Sequence, residues 1–514
     1  MDLERDPVAL QNEKGGIKCT ISHSMEATVT LSDSDTAVEF FPFWRRPRLL
    51  YTTVFVWISI TGGRFLASFL EQEASLSPAA IGAVLAIQDA TSVIASSFAG
   101  VFADWMERRY PKWGRRWVLG MGSCLGSTCF GLHACNRLFP SIGFFATLPW
   151  FIVLRIFFSI STCLVFPVVD GMCLDFLKRH ATPEEYGKER LFGAISWAMT
   201  HLLMGPILDK YNNFGIFYFL GIAAAVAMLI TIQVYDGDEN NTHQHHHHFK
   251  RRTSNLVLPD DEEISDTAAA SITPSKVTSQ GDKNVRFLSF FAIFGSSCFS
   301  VTFLIARVTL ASGQAVVDKM IFLFFEYLGS SFTLMSLTVL LTVVFEIPIF
   351  HVAPAILERI GSSGMLLLAS FSYITRVVGY TLVPAGKTPL VLLFEPLHGV
   401  TYACSQSAGV DFASKLIPEP GMEASSQGFL QFFVGAGSAV GLLFGGFLEE
   451  TYGPKQMYRV SSIVVLMGSL MFLGPAFQNR RSTREQDNRV GHHVVPQDDE
   501  VDGVVEMTSS PTKA

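Results

Sequence analysis

The sequence predicts an all-α polytopic membrane protein. Charged residues make up only 16% of the 514 residues, against about 25% in soluble domains. Mean hydropathy is +0.34, and 44 phenylalanines help bring the hydrophobic share to 49%. Apolar segments of about 20 residues, the length a helix needs to cross a hydrocarbon core of about 30 Å, recur about twelve times along the chain.

Residues 1–48 are polar and mixed. They read as a disordered cytoplasmic tail closed by the basic WRRPR (44–48), after which the first apolar span doubles as the insertion signal. Helices are expected at 49–70, 79–102, 116–135, 143–172, 188–208 and 214–235, which together form an N-terminal six-helix bundle (49–235). A polar stretch, 236–299, reads as a cytoplasmic linker. Its apolar end RFLSFFAIFGSSC either extends the seventh span or forms a separate amphipathic helix. A second set at 300–327, 332–353, 362–383, 389–412, 425–447 and 457–477 makes a C-terminal bundle (300–477), followed by a disordered acidic tail (478–514).

Basic clusters fall on one side of this weave: Arg45/Arg46/Arg48, Arg108/Arg109/Lys112/Arg115/Arg116, Lys178/Arg179, Lys250/Arg251/Arg252 and Arg480/Arg481. The positive-inside rule therefore puts both termini in the cytoplasm, with the chain in the plasma membrane or an endomembrane. The halves echo each other. GPILDKY (205–211) and GGFLEETY (445–452) place a glycine, a leucine and an acid at matching points near the end of each fifth span. Parallel six-helix repeats around a midplane site are the plan of many secondary transporters.

Charges inside spans need partners, because an ionisable side chain at mid-helix costs about 2.5–3.5 kcal/mol on insertion scales. In VLLFEPLHGV (391–400), Glu395 and His398 share a helix face at i, i+3, and Tyr402 and Ser405 continue the stripe. Arg376 and Glu395 stand at comparable distances from the 384–388 turn and are expected to form an ion pair, with Glu346 deeper and nearer His398. In the N-terminal half, Asp170 is expected to pair with Arg190, and Arg64 with Asp89. Asp318 and Lys319 diverge by about 100° on a helix, so one of them need face a cavity. Arg155 and Arg307 are left without partners. Asp104, Gly114, Arg115 and Arg116 read as a cytoplasmic gate, or else as a loop that is basic for topology alone. The charged cluster itself reads as a proton-coupling network, with fixed packing pairs as the alternative.

GVFADWMERRYPKWGRRW (100–117) resembles the helix 2–3 loop signature of the major facilitator superfamily. YGKERLFGAISWAM (186–199), FEIPIF (345–350), ILERIG (356–361), ITRVVGY (374–380), EPLHGVTYA (395–403), EASSQGFLQ (423–431) and GGFLEETYG (445–453) follow in order. Together they are similar to the lactose-permease-like oligosaccharide:proton symporter branch and the related eukaryotic facilitator-associated proteins. The resemblance implies the major facilitator fold, twelve transmembrane helices in two pseudo-symmetric six-helix bundles. It also implies Arg190 and Trp197 as substrate contacts, and Glu346, Arg376 and His398, with Asp318 from the seventh span, as a proton-coupling and binding network; the polar stripe itself adds Glu395 to that network and Tyr402, with Arg376 and His398, to the solute contacts. Three departures stand out: Glu395 stands where the lactose permease carries a lysine, Thr401 where it carries an acid, and Val434 where a basic residue is expected.

The expected function is therefore proton-coupled symport of a small polar solute, a sugar or nucleoside, across the lipid bilayer by a monomer. A non-transporting receptor or scaffold of the same fold, and a proton-independent uniporter or exchanger, are the alternatives. No phosphate-binding GxxxxGK[ST] loop occurs, so an ATP-driven pump is not expected, and a transporter reading leaves no enzyme expected. The net charge of −7 resides largely in Asp260–Glu263 and Asp498–Glu500 and speaks for no nucleic-acid partner. The eight cysteines lack zinc spacing, and HQHHHH (243–248) reads as a low-complexity linker. No metal and no cofactor are expected.

Overall fold

The computed structural model describes residues 46–111, 113–180, 185–235, 295, 297–416 and 423–492. The expected tail up to residue 45, the linker with its HQHHHH run, the 286–294 part of the apolar piece and residues 493–514 lie outside them. Among the described residues no strand occurs. The helices are α1 (Arg48–Gly62), α2 (Leu66–Ala74), α3 (Pro78–Arg109), α4 (Gly114–Leu132), α5 (Leu148–His180), α6 (Tyr186–Tyr211), α7 (Ile216–Val234), α8 (Cys298–Tyr327), α9 (Phe332–Leu382), α10 (Pro396–Leu416), α11 (Glu423–Tyr452) and α12 (Pro454–His492).

Ten helical stretches, with α1 and α2 taken together, are long and apolar enough to cross a membrane. One of these, α9, is broken at Gly361, whose φ of 70° lies in the left-handed region that glycine adopts without steric cost. It therefore crosses twice. Adding α10, long enough but more polar because it carries His398, Tyr402, Ser405 and Asp411, gives twelve crossings, consistent with the sequence expectation. α10 starts later than expected. Thr388–Leu393 forms a 3₁₀ turn, and the helix proper opens on Pro396, which has no N–H to leave unsatisfied in a first turn.

The two halves pack alike. In the first, α1 lies on α6 and α7, α3 on α5, and α4 on α5 and α7; in the second, α8 lies on α11 and α12, and α9 on α10 and α12. Two seams, α3 against α11 and α6 against α9, join the halves, and α2 touches α8 on the axis between them. Equivalent positions meet there. Arg64–Asp318 and Gln72–Glu326 are both hydrogen-bonded and both 254 residues apart.

Call the end bearing Arg108, Arg109, Arg115 and Arg116 the basic end, and the opposite one the far end. At the far end the echo motifs acquire a physical role. Asp209, closing α6, accepts from the backbone N–H groups of Phe332 and Thr333 (2.8 Å each) at the start of α9. Glu450, closing α11, accepts from Ala79 N (3.0 Å) at the start of α3. A carboxylate at a helix N-terminus satisfies orphan donors and meets the positive end of the dipole. Glycines let the seams close: a Cβ on Gly82 would stand 2.8 Å from Gly446 Cα, and one on Gly205 2.8 Å from Ser336 Cβ.

These two carboxylates tie the halves together at the far end. Each such cap is worth about 0.5–2 kcal/mol, so losing both in Asp209→Ala with Glu450→Ala, about 1–4 kcal/mol together, should shift the closed–open balance by about tenfold or more, at tenfold per 1.4 kcal/mol. The expected result is faster labelling of a Leu85→Cys cavity-wall variant by an impermeant thiol reagent added at the far side. An unchanged labelling rate would refute it.

Candidate functional site

The site begins with an interruption of the first crossing. α1 ends at Gly62 and α2 starts at Leu66, so the backbone between them has orphan groups to satisfy. Arg155 of α5 donates to Thr61 O (3.1 Å), and Arg64 N donates to His201 Nε2 of α6 (3.1 Å). His201 Nδ1 is bonded to Trp197 O (2.8 Å), which leaves Nε2 as the acceptor. A Cβ on Gly63 would come within 2.6 Å of that nitrogen, so the close approach requires glycine. The break projects Arg64 toward the axis.

A cavity of about 360 Å³ lies there, lined from both halves. Arg64, Gln88 and Trp197 face it from the first half, and Asp318, Lys319, Glu346, His398 and Tyr402 from the second. Its volume falls within the range of small-molecule sites, roughly 300–1,000 Å³. Gly62 and Gln88 also border a wider crevice of about 990 Å³ between α3, α5 and α11. That crevice runs toward the basic end, past Ser96 and Gly428.

Two ion pairs cross the axis at mid-depth. Asp318 takes Arg64 (3.2 Å), and the adjacent Lys319 takes Asp89. Arg64 and Asp89, expected to pair with each other, are thus exchanged onto neighbouring residues of α8. The 100° divergence of Asp318 and Lys319 lets one helix reach two partners on the opposite half, instead of leaving one residue idle.

Behind the cavity wall lies a buried network. Arg376, 2% exposed, donates from Nη2 to Glu395 (3.1 Å), from Nε to Tyr380 Oη (2.6 Å) and from Nη1 to His398 Nδ1 (2.7 Å). Tyr380 donates in turn to Glu395 (2.5 Å). A guanidinium has only donors, so His398 Nδ1 accepts, and the ring carries its hydrogen on Nε2. Asp318 stands 3.7 Å from the same Nδ1, beyond hydrogen-bond range. The order from solvent inward is Asp318, His398, Arg376, Glu395. Arg376 and Glu395 therefore do not line the cavity, and in this conformation neither touches a solute placed in it.

Glu346 does face the cavity, beside His398, because Gly399 lets the α9 backbone at Glu346 approach α10. Its carboxylate makes no hydrogen bond or ion pair among the described residues. Tyr402 stacks on His398 (8° between planes, centroids 6.1 Å apart), and Trp197 stands across from them on the first half.

Two expectations of the sequence are corrected. Asp170 and Arg190 form no direct ion pair: Asp170 accepts from Tyr51 Oη (2.6 Å), and Arg190 donates to Tyr186 Oη (3.1 Å). A nearby phenol gives each a hydrogen bond that needs no long reach between helices. Arg190 also stands outside the cavity lining, a turn toward the basic end from Ala194. The cations of the basic loop pair across to neighbouring elements. Arg115 binds Glu107 (2.8 Å) and Asp175, and Arg116 donates to Tyr235 O (2.8 Å), all within the first half. Asp104 is exposed, and its carboxylate has no partner among the described residues. Gly114 permits a tight return after α3: a Cβ there would lie 2.6 Å from the Met106 carbonyl carbon.

Sequence reasoning missed Gln88, Lys319 as a paired residue, Tyr380 and Glu189. Glu189 is 1% exposed and clamps Arg48 (2.9 Å) at the start of α1. Gln88 was legible as part of a polar pair, Gln88–Asp89, inside an apolar span. Tyr380 was not legible, because a tyrosine in a membrane helix carries no sign of a buried partner. Thr401, where an acid was a family expectation, is satisfied by its own helix through Leu397 O (2.8 Å).

The family model described as the MFS_1 like family matches residues 50–460. The chain belongs to this family. Its members are major facilitator transporters, not enzymes, and this MFS_1-like protein is an integral multi-pass membrane protein. Among characterised sequences it is similar to the maltose permease of Geobacillus stearothermophilus, 23% identical over 82% of this chain and 92% of the permease. Among solved structures it is similar to the nucleoside transporter NupG (TM-score 0.62, 15% identity, 84% of this chain and 98% of that one). It is also similar to the xylose transporter XylE from E. coli (TM-score 0.54, 11% identity, 83% and 94%). At these identities the structural likeness establishes the fold alone.

Proposed function

We propose that the MFS_1-like protein is a secondary active transporter that carries a small polar solute, a sugar or nucleoside, in symport with a proton. Residues 49–235 and 300–477 rock about the cavity, with both termini in the cytoplasm and the far end facing outward. One observation carries the reading: Asp318 is shared between the halves through Arg64 and opens the line of ionisable groups that leads through His398 to Arg376 and Glu395. A carboxylate that answers to both the inter-half contact and the cavity can link its charge to which side is open.

The names of the relatives support the solute class, since the chain is similar in sequence to a maltose permease and in fold to a nucleoside transporter and a xylose transporter. Trp197 on one wall and the stacked Tyr402–His398 pair on the other suit a sugar or nucleoside ring, with Glu346, Gln88 and Lys319 as hydrogen-bonding groups. The test is uptake into proteoliposomes across a panel of sugars and nucleosides. Accumulation of one class, driven by an inwardly directed proton gradient, is expected. Uptake indifferent to the gradient would leave transport without proton coupling, and no uptake at all would sink the proposal.

A further inference from the structure

We propose that Gln88 sets which hydrogen-bonding pattern a solute must present, and that Arg155 is the positioning residue that fixes it. This rests on the transport reading above. Arg155 is fully buried and has no carboxylate partner among the described residues. Its Nε donates to Gln88 Oε1 (2.9 Å), its Nη1 to Thr61 O (3.1 Å), and its Cζ lies 4.1 Å from the Phe158 ring centroid. Nη2 has no acceptor. A buried guanidinium with a donor already unsatisfied cannot release the oxygens it has, because each lost acceptor leaves a buried charge further unsatisfied.

The consequence falls on Gln88. A side-chain amide ordinarily flips to suit its neighbours, but here a flip would set NH₂ donors against guanidinium donors. Ser159 Oγ holds the Gln88 backbone as well, by donating to its carbonyl (2.8 Å). The oxygen therefore stays toward Arg155 and the NH₂ group toward the space that Gln88 borders, which is both the 360 Å³ cavity and the wider crevice. At that point the site offers donors only. It accepts a hydroxyl or carbonyl oxygen and rejects a group that can only donate, such as an ammonium.

The experiment compares uptake of a transported solute with analogues in which one hydroxyl at a time becomes fluorine, which accepts only, or a protonated amine, which donates only. In the wild type, at one position the fluoro analogue should keep KM within a few-fold and the amino analogue should lose about tenfold or more. Gln88→Glu presents a carboxylate oxygen and should invert that ranking. Arg155→Met frees the amide to flip and should flatten the ranking, with KM moving more than kcat, which a merely structural lesion would not do. If Arg155→Met does not fold, Arg155→Gln, whose amide can meet either orientation of Gln88, takes its place. A ranking unchanged in Gln88→Glu overturns this inference while leaving transport intact, whereas a wild type that moves no panel member overturns both.

Discussion

Glu395→Ala is expected to destabilise the MFS_1-like protein more than any other single substitution in the site. Glu395 is 1% exposed and receives both Arg376 Nη2 and Tyr380 Oη. Removing it leaves a guanidinium that is 2% exposed facing a tyrosine and a neutral imidazole. Breaking a buried pair from one side costs about 3–5 kcal/mol, whereas replacing both members by apolar groups is often neutral. Thermal unfolding in detergent should therefore fall sharply for Glu395→Ala and recover for the double variant Arg376→Met with Glu395→Leu. Uptake should stay lost in both, because the line of polar groups behind His398 is gone. A double variant that regains transport would reduce the network to packing.

The helices were legible because lipid imposes one solution on the backbone. Every apolar run must satisfy its own N–H and C=O groups, and so it becomes a helix of about the bilayer's length. Depth was legible for the same reason: counting residues from the 384–388 turn brought Arg376 and Glu395 level, and they pair at 3.1 Å. Azimuth was not. Which way a side chain points round its helix depends on packing angles that residue counts do not carry. Arg64 and Asp89 were accordingly assigned to each other, when each reaches instead to α8. The break at Gly62–Phe65 was hidden too, since its cause lies in Arg155 and His201, whose sequence neighbours say nothing of Thr61 or Arg64. The echo at 205–211 and 445–452 was visible as a pattern, but its meaning needed the partner helices: Asp209 and Glu450 each cap a helix of the opposite half.

Asp318→Asn is expected to separate transport from proton coupling. The substitution preserves size and an acceptor for Arg64, but it removes the charge that faces the Arg64 guanidinium at 3.2 Å and lies 3.7 Å from His398 Nδ1. Asp318 is about one-third exposed, so solvent in the cavity reaches it, whereas Glu395 is sealed behind Arg376. An amide cannot gain or lose a proton in the working range, and a pair between Arg64 and a neutral partner is weaker than a charge-assisted one. Gradient-driven accumulation should be lost, with solute only equilibrating across the membrane, because a carrier that cannot take up and release the proton cannot draw on the proton gradient. Exchange of labelled for unlabelled solute at equal pH needs no net proton movement and should persist within a few-fold. Glu346→Gln provides the contrast: its carboxylate faces the cavity but makes no hydrogen bond or direct ion pair to the first half among the described residues, so its loss should weaken solute binding in both assays alike. If Asp318→Asn instead accumulates solute as the wild type does, and Glu346→Gln does not, then the coupling carboxylate is Glu346, and the Arg64–Asp318 pair is a strut between the halves.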